Sequence, residues 1–154
     1  MPLELGPAKR EEAREIAFLS RDLVEDGLVW RYRPEIVDRL IRDRDTEVVV
    51  AREAGRLVGF GVMSFGDASA HLLLFAVRKD RQRSGLGRSL MEWLLLMART
   101  AGLDRVHVEV RSGNASARAF YRRIGFREVA HVPGYYQGRE SAVRAVLSLG
   151  APRR

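Results

Sequence analysis

The stretch Arg81–Ala98, RQRSGLGRSLMEWLLLMA, decides the fold. It opens with three arginines and two glycines and continues as an amphipathic helix. The spacing predicts a helix over 85–101, with Leu86, Leu90, Trp93, Leu94 and Met97 along one side. Just upstream, AHLLLFAV (70–77) is apolar on both faces, as a central strand covered on both sides should be. Gly85 and Gly87 therefore stand where a strand hands over to a helix. The first N–H groups of a helix have no partner inside it and attract anions. Glycine lets the backbone turn tightly and approach a ligand, and Arg83 and Arg88 add charge. The competing reading is a plain glycine-rich turn. No GK[ST] follows, so this is not a Walker loop, and Leu90 stands where a dinucleotide fingerprint needs its third glycine.

Working outward, TEVVVARE (46–53), the tight turn AGR (54–56) and LVGFGVMSFG (57–66) read as a hairpin. Downstream, LDRVHVEV (103–110) is a strand in which Val106, Val108 and Val110 alternate with His107, Glu109 and Arg111. NASARAFYRRIGF (114–126) holds a short helix over 114–124, N-capped by Asn114 and stopped at Gly125. Phe126–Val132 is a strand, PGYYQGRE (133–140) a loop, and Ala142–Leu149 the last strand. Two helices, over 7–24 and from Pro34 to Ile41, precede the hairpin. The order ααβββαβαββ implies an α/β (α+β) fold: a mixed central sheet with helices on both faces. One domain is expected over 1–150, with a frayed tail at 151–154.

The 154 residues contain no cysteine, which excludes disulfides, thiolate metal sites and a cysteine nucleophile. No apolar run reaches the length of a membrane span. Residues 8–15 are mostly charged, so no signal peptide is expected, and the protein is read as cytoplasmic. The net charge of +7 permits contact with nucleic acid, anionic membranes or phosphorylated small molecules. The arginines are spread along the chain, however, and a solvated basic surface is the simpler account. No specific nucleic-acid or membrane partner is expected; a homodimer is left open.

Gln82-Arg83-Ser84-Gly85-Leu86-Gly87, placed after a strand ending in Phe-Ala-Val, resembles the Q/R-x-x-G-x-G/A signature of the GNAT acetyltransferase superfamily. NASARAFYRRIGF is similar to that family's second motif, and the element order is also alike. The likeness runs from about Thr46 to Leu149 and implies the GNAT fold, with two neighbouring strands splayed at an acetyl-CoA site. By that resemblance Arg83, Ser84, Gly85, Leu86, Gly87, Arg88 and Ser89 would hold the pyrophosphate. The backbone of Phe75, Ala76 and Val77 would pair with the pantetheine arm, and Asn114 would reach the cofactor. Within the superfamily, the segment from Val106 to Val143 is similar to bacterial N-terminal acetyltransferases of ribosomal proteins. That similarity implies Glu109 as base, Tyr121 as acid, and Tyr135 and Tyr136 as holders of the acceptor's backbone.

The chemistry suits those residue types. An α-amine with a pKa near 8 must lose a proton before attacking a thioester. A carboxylate such as Glu109, exposed on the less apolar face of its strand, can accept that proton through water. The competing reading is a strand-face glutamate paired with an arginine. A backbone N–H of the Phe-Ala-Val strand suits the developing oxyanion. A tyrosine near 10 and a thiol near 8.5 make full proton transfer to the thiolate uphill by roughly 2 kcal/mol. Tyr121 then helps chiefly by hydrogen bonding to the sulfur; otherwise it is a core aromatic beside Phe120. Trp30 and Tyr32 either wall the acceptor pocket or simply pack. His71 and His107 read as structural, with no metal-ligand cluster and no metal expected. Three functions stay open: acetylation of a protein or peptide N-terminus, acetylation of a small-molecule amine, and a noncatalytic CoA-binding module.

Overall fold

The computed structural model, which describes residues 2–150, runs β1 (Leu3–Pro7), α1 (Ala13–Leu23), α2 (Pro34–Arg42), β2 (Thr46–Glu53), β3 (Arg56–Phe65) and β4 (Ser69–Val77) in its first half. It continues with α3 (Leu86–Thr100), β5 (Arg105–Arg111), α4 (Ala115–Ile124), β6 (Arg127–Tyr136) and β7 (Glu140–Ser148). The strands form one sheet in the order β1-β2-β3-β4-β5-β7-β6. β4 and β5 are parallel, joined by the α3 crossover, and every other neighbouring pair is antiparallel. The expected mixed sheet and its central strands are present. The hairpin turn is two residues long, with Ala54 and Gly55 both at positive φ, as the twist of paired strands favours.

Two boundaries depart from the sequence reading. The first helix begins at Ala13, not residue 7. Leu3–Pro7 instead adds an edge strand to β2, with Leu5 opposite Ala51, and Arg10–Glu12 is a single 3-10 turn. So short an alternation becomes a strand only because β2 offers an unpaired edge. The loop expected at 133–140 shrinks, because β6 continues to Tyr136. Pro133 and Gly134 fall in an irregular stretch between Val132 and Tyr136 on the outermost strand. Proline is tolerated on such an edge. The tail at 151–154 lies outside the described residues.

Two apolar layers sandwich the sheet. Leu90, Met91 and Leu94 of α3 pack with Val106, Val108 and Val110 on one face. Ile16 of α1 and Val37 of α2 pack with Val50, Phe60 and Val62 on the other. β4 serves both faces because its parity changes midway. Val62 pairs with Leu74 but Met63 pairs with Leu72, so Leu73 is an extra, bulged residue. Before it, Ala70 and Leu72 join the α3 layer; after it, Leu74 and Ala76 join the α1–α2 layer. Pairing with β5 ends at the same place, after Leu72 and Val108. From there the two strands separate.

Glycines in β3 let α3 press close to this region. A Cβ at Gly61 would lie 2.7 Å from Leu94 Cδ1 and 3.2 Å from a Phe75 ring carbon. Gly61→Val should therefore overpack the α3 layer and cost about 1–3 kcal/mol. Urea unfolding checks this, and an unchanged midpoint would mean that α3 does not rest on β3 at Gly61.

Candidate active site

A cleft of about 520 Å³ occupies the gap between β4 and β5. Leu72, Phe75, Val108, Val110, Ala117 and Tyr121 line it from the α3–α4 side, and His71, Leu73, Leu74, Glu109 and Arg111 from the other. It therefore passes through the sheet. Beyond Leu72, the β4 backbone on the β5 side has no ladder partner, so residues 73–77 offer an edge to an extended chain. Phe75 stands at this edge, with its ring 5.5 Å from that of Phe120. The side chains of Ala76 and Val77 turn to opposite apolar layers, which leaves only their backbone for a ligand.

The loop after β4 is held from below. Arg81 pairs with Glu53 of β2, and Gln82 Nε2 donates to the Val77 carbonyl at 3.1 Å. The chain then turns through positive φ at Arg83 (63°) and Gly85 (85°). Ser89 N–H bonds the Gly85 carbonyl at 3.1 Å, closing the first turn of α3. The N–H groups of Leu86, Gly87 and Arg88 therefore have no partner within the helix. Among the described residues, neither Arg83 nor Arg88 has an acidic partner. A Cβ on Gly85 would meet nothing within 4 Å, whereas one on Gly87 would lie 3.1 Å from Phe120. Gly87 is thus needed for packing as well as for ligand approach, while Gly85 is needed for its left-handed turn.

At the other end stands Glu109, and here one expectation is corrected. Its side chain is only 5% exposed. Oε1 accepts from His71 Nε2 at 2.6 Å and Tyr135 Oη at 3.1 Å; Oε2 accepts from Arg144 Nε at 2.8 Å. Burial raises its pKa, but the His71 and Arg144 hydrogen bonds outweigh burial and hold it at about 2. The arginine partner weighed from the sequence exists and is Arg144. Tyr136 donates to the Glu109 backbone carbonyl at 3.0 Å. Both loop tyrosines thus reach Glu109 and line the cleft, and their phenols are raised mainly by burial, Tyr135 to about 12.

The two histidines also change status. Parallel pairing sets His71 beside His107, and the rings stack with centroids 4.3 Å apart. One donor atom from each of His71, His107 and Glu109 lies within 4.8 Å of the others, so the expected absence of a ligand-type cluster does not hold. Arg144 already supplies positive charge to Glu109, which suits a hydrogen-bonded acid–base group better than a dication.

Tyr121 is 7% exposed, packed edge-on against Phe120 and Phe126, and it lines the cleft. Among the described residues its hydroxyl has no hydrogen-bond partner, and burial pushes the phenol above its ordinary range. The core-aromatic reading of Tyr121 therefore holds, and the same side chain borders the cleft. Asn114 caps α4, accepting from Ala117 N–H at 3.0 Å, and also lines the cleft. Tyr32 lines it too. Trp30 does not: it packs on Phe18, donates to the Ala17 carbonyl at 3.2 Å and lies under Arg21 and Arg33. Its place as a pocket wall is corrected: both side chains pack on the α1–α2 layer, but Trp30 is taken up by Phe18 and Ala17 of α1, and of the two Tyr32 reaches the cleft.

Sequence reasoning missed the roof. Gln137, at positive φ, exchanges two hydrogen bonds with the Val29 backbone, at 2.9 and 3.0 Å. Arg111 reaches the Val24 carbonyl at 2.8 Å. Buried Glu25 holds the same loop, accepting from the N–H groups of Arg31 and Tyr32. The loop between α1 and α2 is thereby strapped to the β6–β7 turn over the cleft. An arginine inside the apolar strand around Arg144 was the one visible signal, and only the strand register reveals its partner.

The sequence places this arrangement in a family: residues 11–126 match the acetyltransferase (GNAT) family, to which the chain belongs. Among individual proteins it is similar to the ribosomal protein bS18-alanine N-acetyltransferase of Escherichia coli (strain K12), 36% identical over 98 residues. That match spans 62% of this chain and 66% of the enzyme's length. The N-alpha-acetyltransferase RimI of Mycobacterium tuberculosis is 32% identical over 142 residues, covering 88% of this chain and 85% of that one. The crystal structure of the E. coli ribosomal-protein-S18-alanine N-acetyltransferase shares the fold, with a TM-score of 0.85 over 99% of this chain and 97% of that chain, at 23% identity.

The Glu109 cluster carries a pH signature. Its carboxylate titrates near 4.5 when unfolded and about 2 when folded. The folded state is therefore favoured above pH 4.5, and that advantage, on the order of 3 kcal/mol, is lost as pH falls toward 2. Urea unfolding as a function of pH should show a shallower acid slope for Glu109→Gln than for the wild type. Equal slopes would mean that the ion pair contributes no proton linkage.

Proposed function

We propose that the protein is an acetyl-CoA-dependent N-acetyltransferase whose favoured acceptor is the α-amine of a protein or peptide N-terminus. The observation that carries this reading is the cleft that crosses the sheet, with Glu109 and the tyrosines at one end, together with the glycine-rich helix start that follows β4. Acetyl-CoA supplies the activated thioester. The free N–H groups opening α3, with Arg83, Ser84, Ser89 and Arg88 around them, suit its pyrophosphate. The unpaired edge of β4 at Phe75, Ala76 and Val77 suits an extended pantetheine arm, and a β4 N–H there suits the acyl oxygen. Asn114 borders the same space from the cap of α4.

Glu109 supplies fixed negative charge where a cationic amine would arrive. Held at about 2, it is roughly a millionfold weaker as a proton acceptor than an α-amine near 8, so anchoring suits it better than abstraction. Tyr121, raised by burial, acts by donating a hydrogen bond to the departing sulfur, since giving up its proton outright is still more unfavourable than in water. Tyr32, Tyr135 and Tyr136 surround the acceptor end. The similar proteins are named for α-amine acetylation, which favours a chain terminus over a small-molecule amine.

Mass spectrometry of peptides with free and blocked N-termini, alongside small amines, tests the acceptor. Acetylation confined to free N-termini is expected; acetylation of small amines alone would replace this reading. Tyr121→Phe should lower kcat about 10- to 100-fold, the value of a hydrogen bond to a charged group. Acetyl-CoA affinity by calorimetry should stay within about twofold, and an undiminished kcat would remove Tyr121 from the chemistry. Arg88→Ala should weaken acetyl-CoA binding about two- to fivefold, more at low salt, as exposed ion pairs do. Unchanged affinity would move the phosphate elsewhere.

A further inference from the structure

Resting on the acetyl-transfer reading above, we propose that His71 takes the proton from the acceptor amine, and that Glu109 and Arg144 act as positioning residues that orient and charge-balance it. Three observations carry this. First, the Glu109 carboxylate is already committed: His71 and Tyr135 occupy one oxygen and Arg144 the other, in a side chain with 5% exposure. Second, the His71 side chain is 31% exposed and lines the cleft. Third, its geometry sets the tautomer. Nε2 lies 2.6 Å from a carboxylate oxygen and so carries the hydrogen, which leaves Nδ1 with a lone pair in the neutral ring. Among the described residues Nδ1 has no hydrogen-bond partner, while stacking on His107 fixes the ring plane.

Among side chains, imidazole is the one suited to taking and releasing a proton near neutrality. The charged and titratable groups around the pair are His107 and Arg105 on β5, Arg144 on β7 and Tyr135 on β6. Glu25, Arg31 and Tyr32, from the loop between α1 and α2, line the same cleft. The pKa of His107 is lowered, first by burial and then by His71.

The protons balance as follows. The acceptor ammonium gives one proton, directly or through a water, to His71 Nδ1, and His71 later releases it to solvent. The freed amine lone pair forms the new C–N bond as the C–S bond breaks. The second amine proton leaves as the amide forms and ends on the CoA sulfur, next to the Tyr121 hydroxyl.

The test is kcat against pH at saturating acetyl-CoA and acceptor, using any amine that the wild type acetylates. A wrong acceptor class and a wrong role for His71 are thereby told apart. His71→Gln is the central variant, because its amide can still donate to Glu109 but cannot hold a proton. His71→Ala opens space for rescue, and His107→Phe keeps the stacking as a control. The wild type should lose activity on the acid side of neutrality. Both His71 variants should lose about 100-fold in kcat and that acid limb, at unchanged acetyl-CoA affinity. Added imidazole should restore part of the His71→Ala rate. His107→Phe should keep the limb. Glu109→Gln should keep a limb, because the imidazole that produces it remains. The proposal is overturned if His71→Gln keeps the wild-type limb and most of its rate. It is equally overturned if Glu109→Gln abolishes the limb while His71→Gln retains it, which would return the base role to the carboxylate.

Discussion

Pairing between β4 and β5 stops after Leu72 and Val108, and much of the molecule is arranged to keep that interruption in place. Two parallel strands would ordinarily zip to their ends, because each unmade backbone hydrogen bond in a dry interior costs about 1–3 kcal/mol. Here an extra residue, Leu73, bends β4 and exchanges which side chains serve which apolar layer. β5 is held from its other edge, with all of Arg105–Arg111 in register with β7. Each strand keeps its outer partner, β3 for β4 and β7 for β5, past the point where they separate, which leaves an open β4 edge facing the gap.

That gap would be only a groove without the polar end that β5 and β7 build. The buried Glu109 carboxylate on β5 is held from three other strands: His71 comes from β4, Tyr135 from β6 and Arg144 from β7, while Tyr136 of β6 donates to the Glu109 backbone carbonyl. Removing one partner from a buried charge costs more than the pair itself contributes. The cluster thus ties β4, β5, β6 and β7 together beside the splayed part of the sheet. Gln137 and Arg111 strap the loop between α1 and α2 across the top. The acceptor end is consequently bounded by rigid hydrogen-bonded backbone as well as by side chains.

The net positive charge plays a smaller part than its size suggests. Many arginines are spent on structure: Arg52 on Glu12, Arg118 on Glu128, Arg10 and Arg42 on Asp38, and Arg81 on Glu53. Arg83 and Arg88, beside the α3 N-terminus, stand apart from that pattern. Local placement, more than total charge, marks the anion site.

The sequence by itself determined the parts that depend on local physics. The period of Leu86–Met97, the two-sided apolar run of β4, the hairpin turn at Ala54–Gly55, the Asn114 cap and the glycine turn before α3 are all short-range consequences of residue type. They were enough to lay out the elements and the glycine-rich turn, whereas Glu109 and Tyr121 were singled out by resemblance to a family's motifs; both line the cleft. β1 was not legible, because five residues become a strand only when another strand's edge is free. The reach of β6 through Pro133 and Gly134 was hidden for a like reason: only an outermost strand tolerates them. Tertiary structure alone decided the environment of Glu109. His71, Tyr135 and Arg144 lie 38, 26 and 35 residues from it in the chain. They meet it because β5 is flanked by β4 and β7, and a strand order of that kind has no periodicity to read. It likewise brought Tyr32 to the cleft while packing Trp30 against α1. Local patterns specify which way a backbone runs, but the protonation state of a side chain is set by neighbours that only the assembled sheet brings within reach.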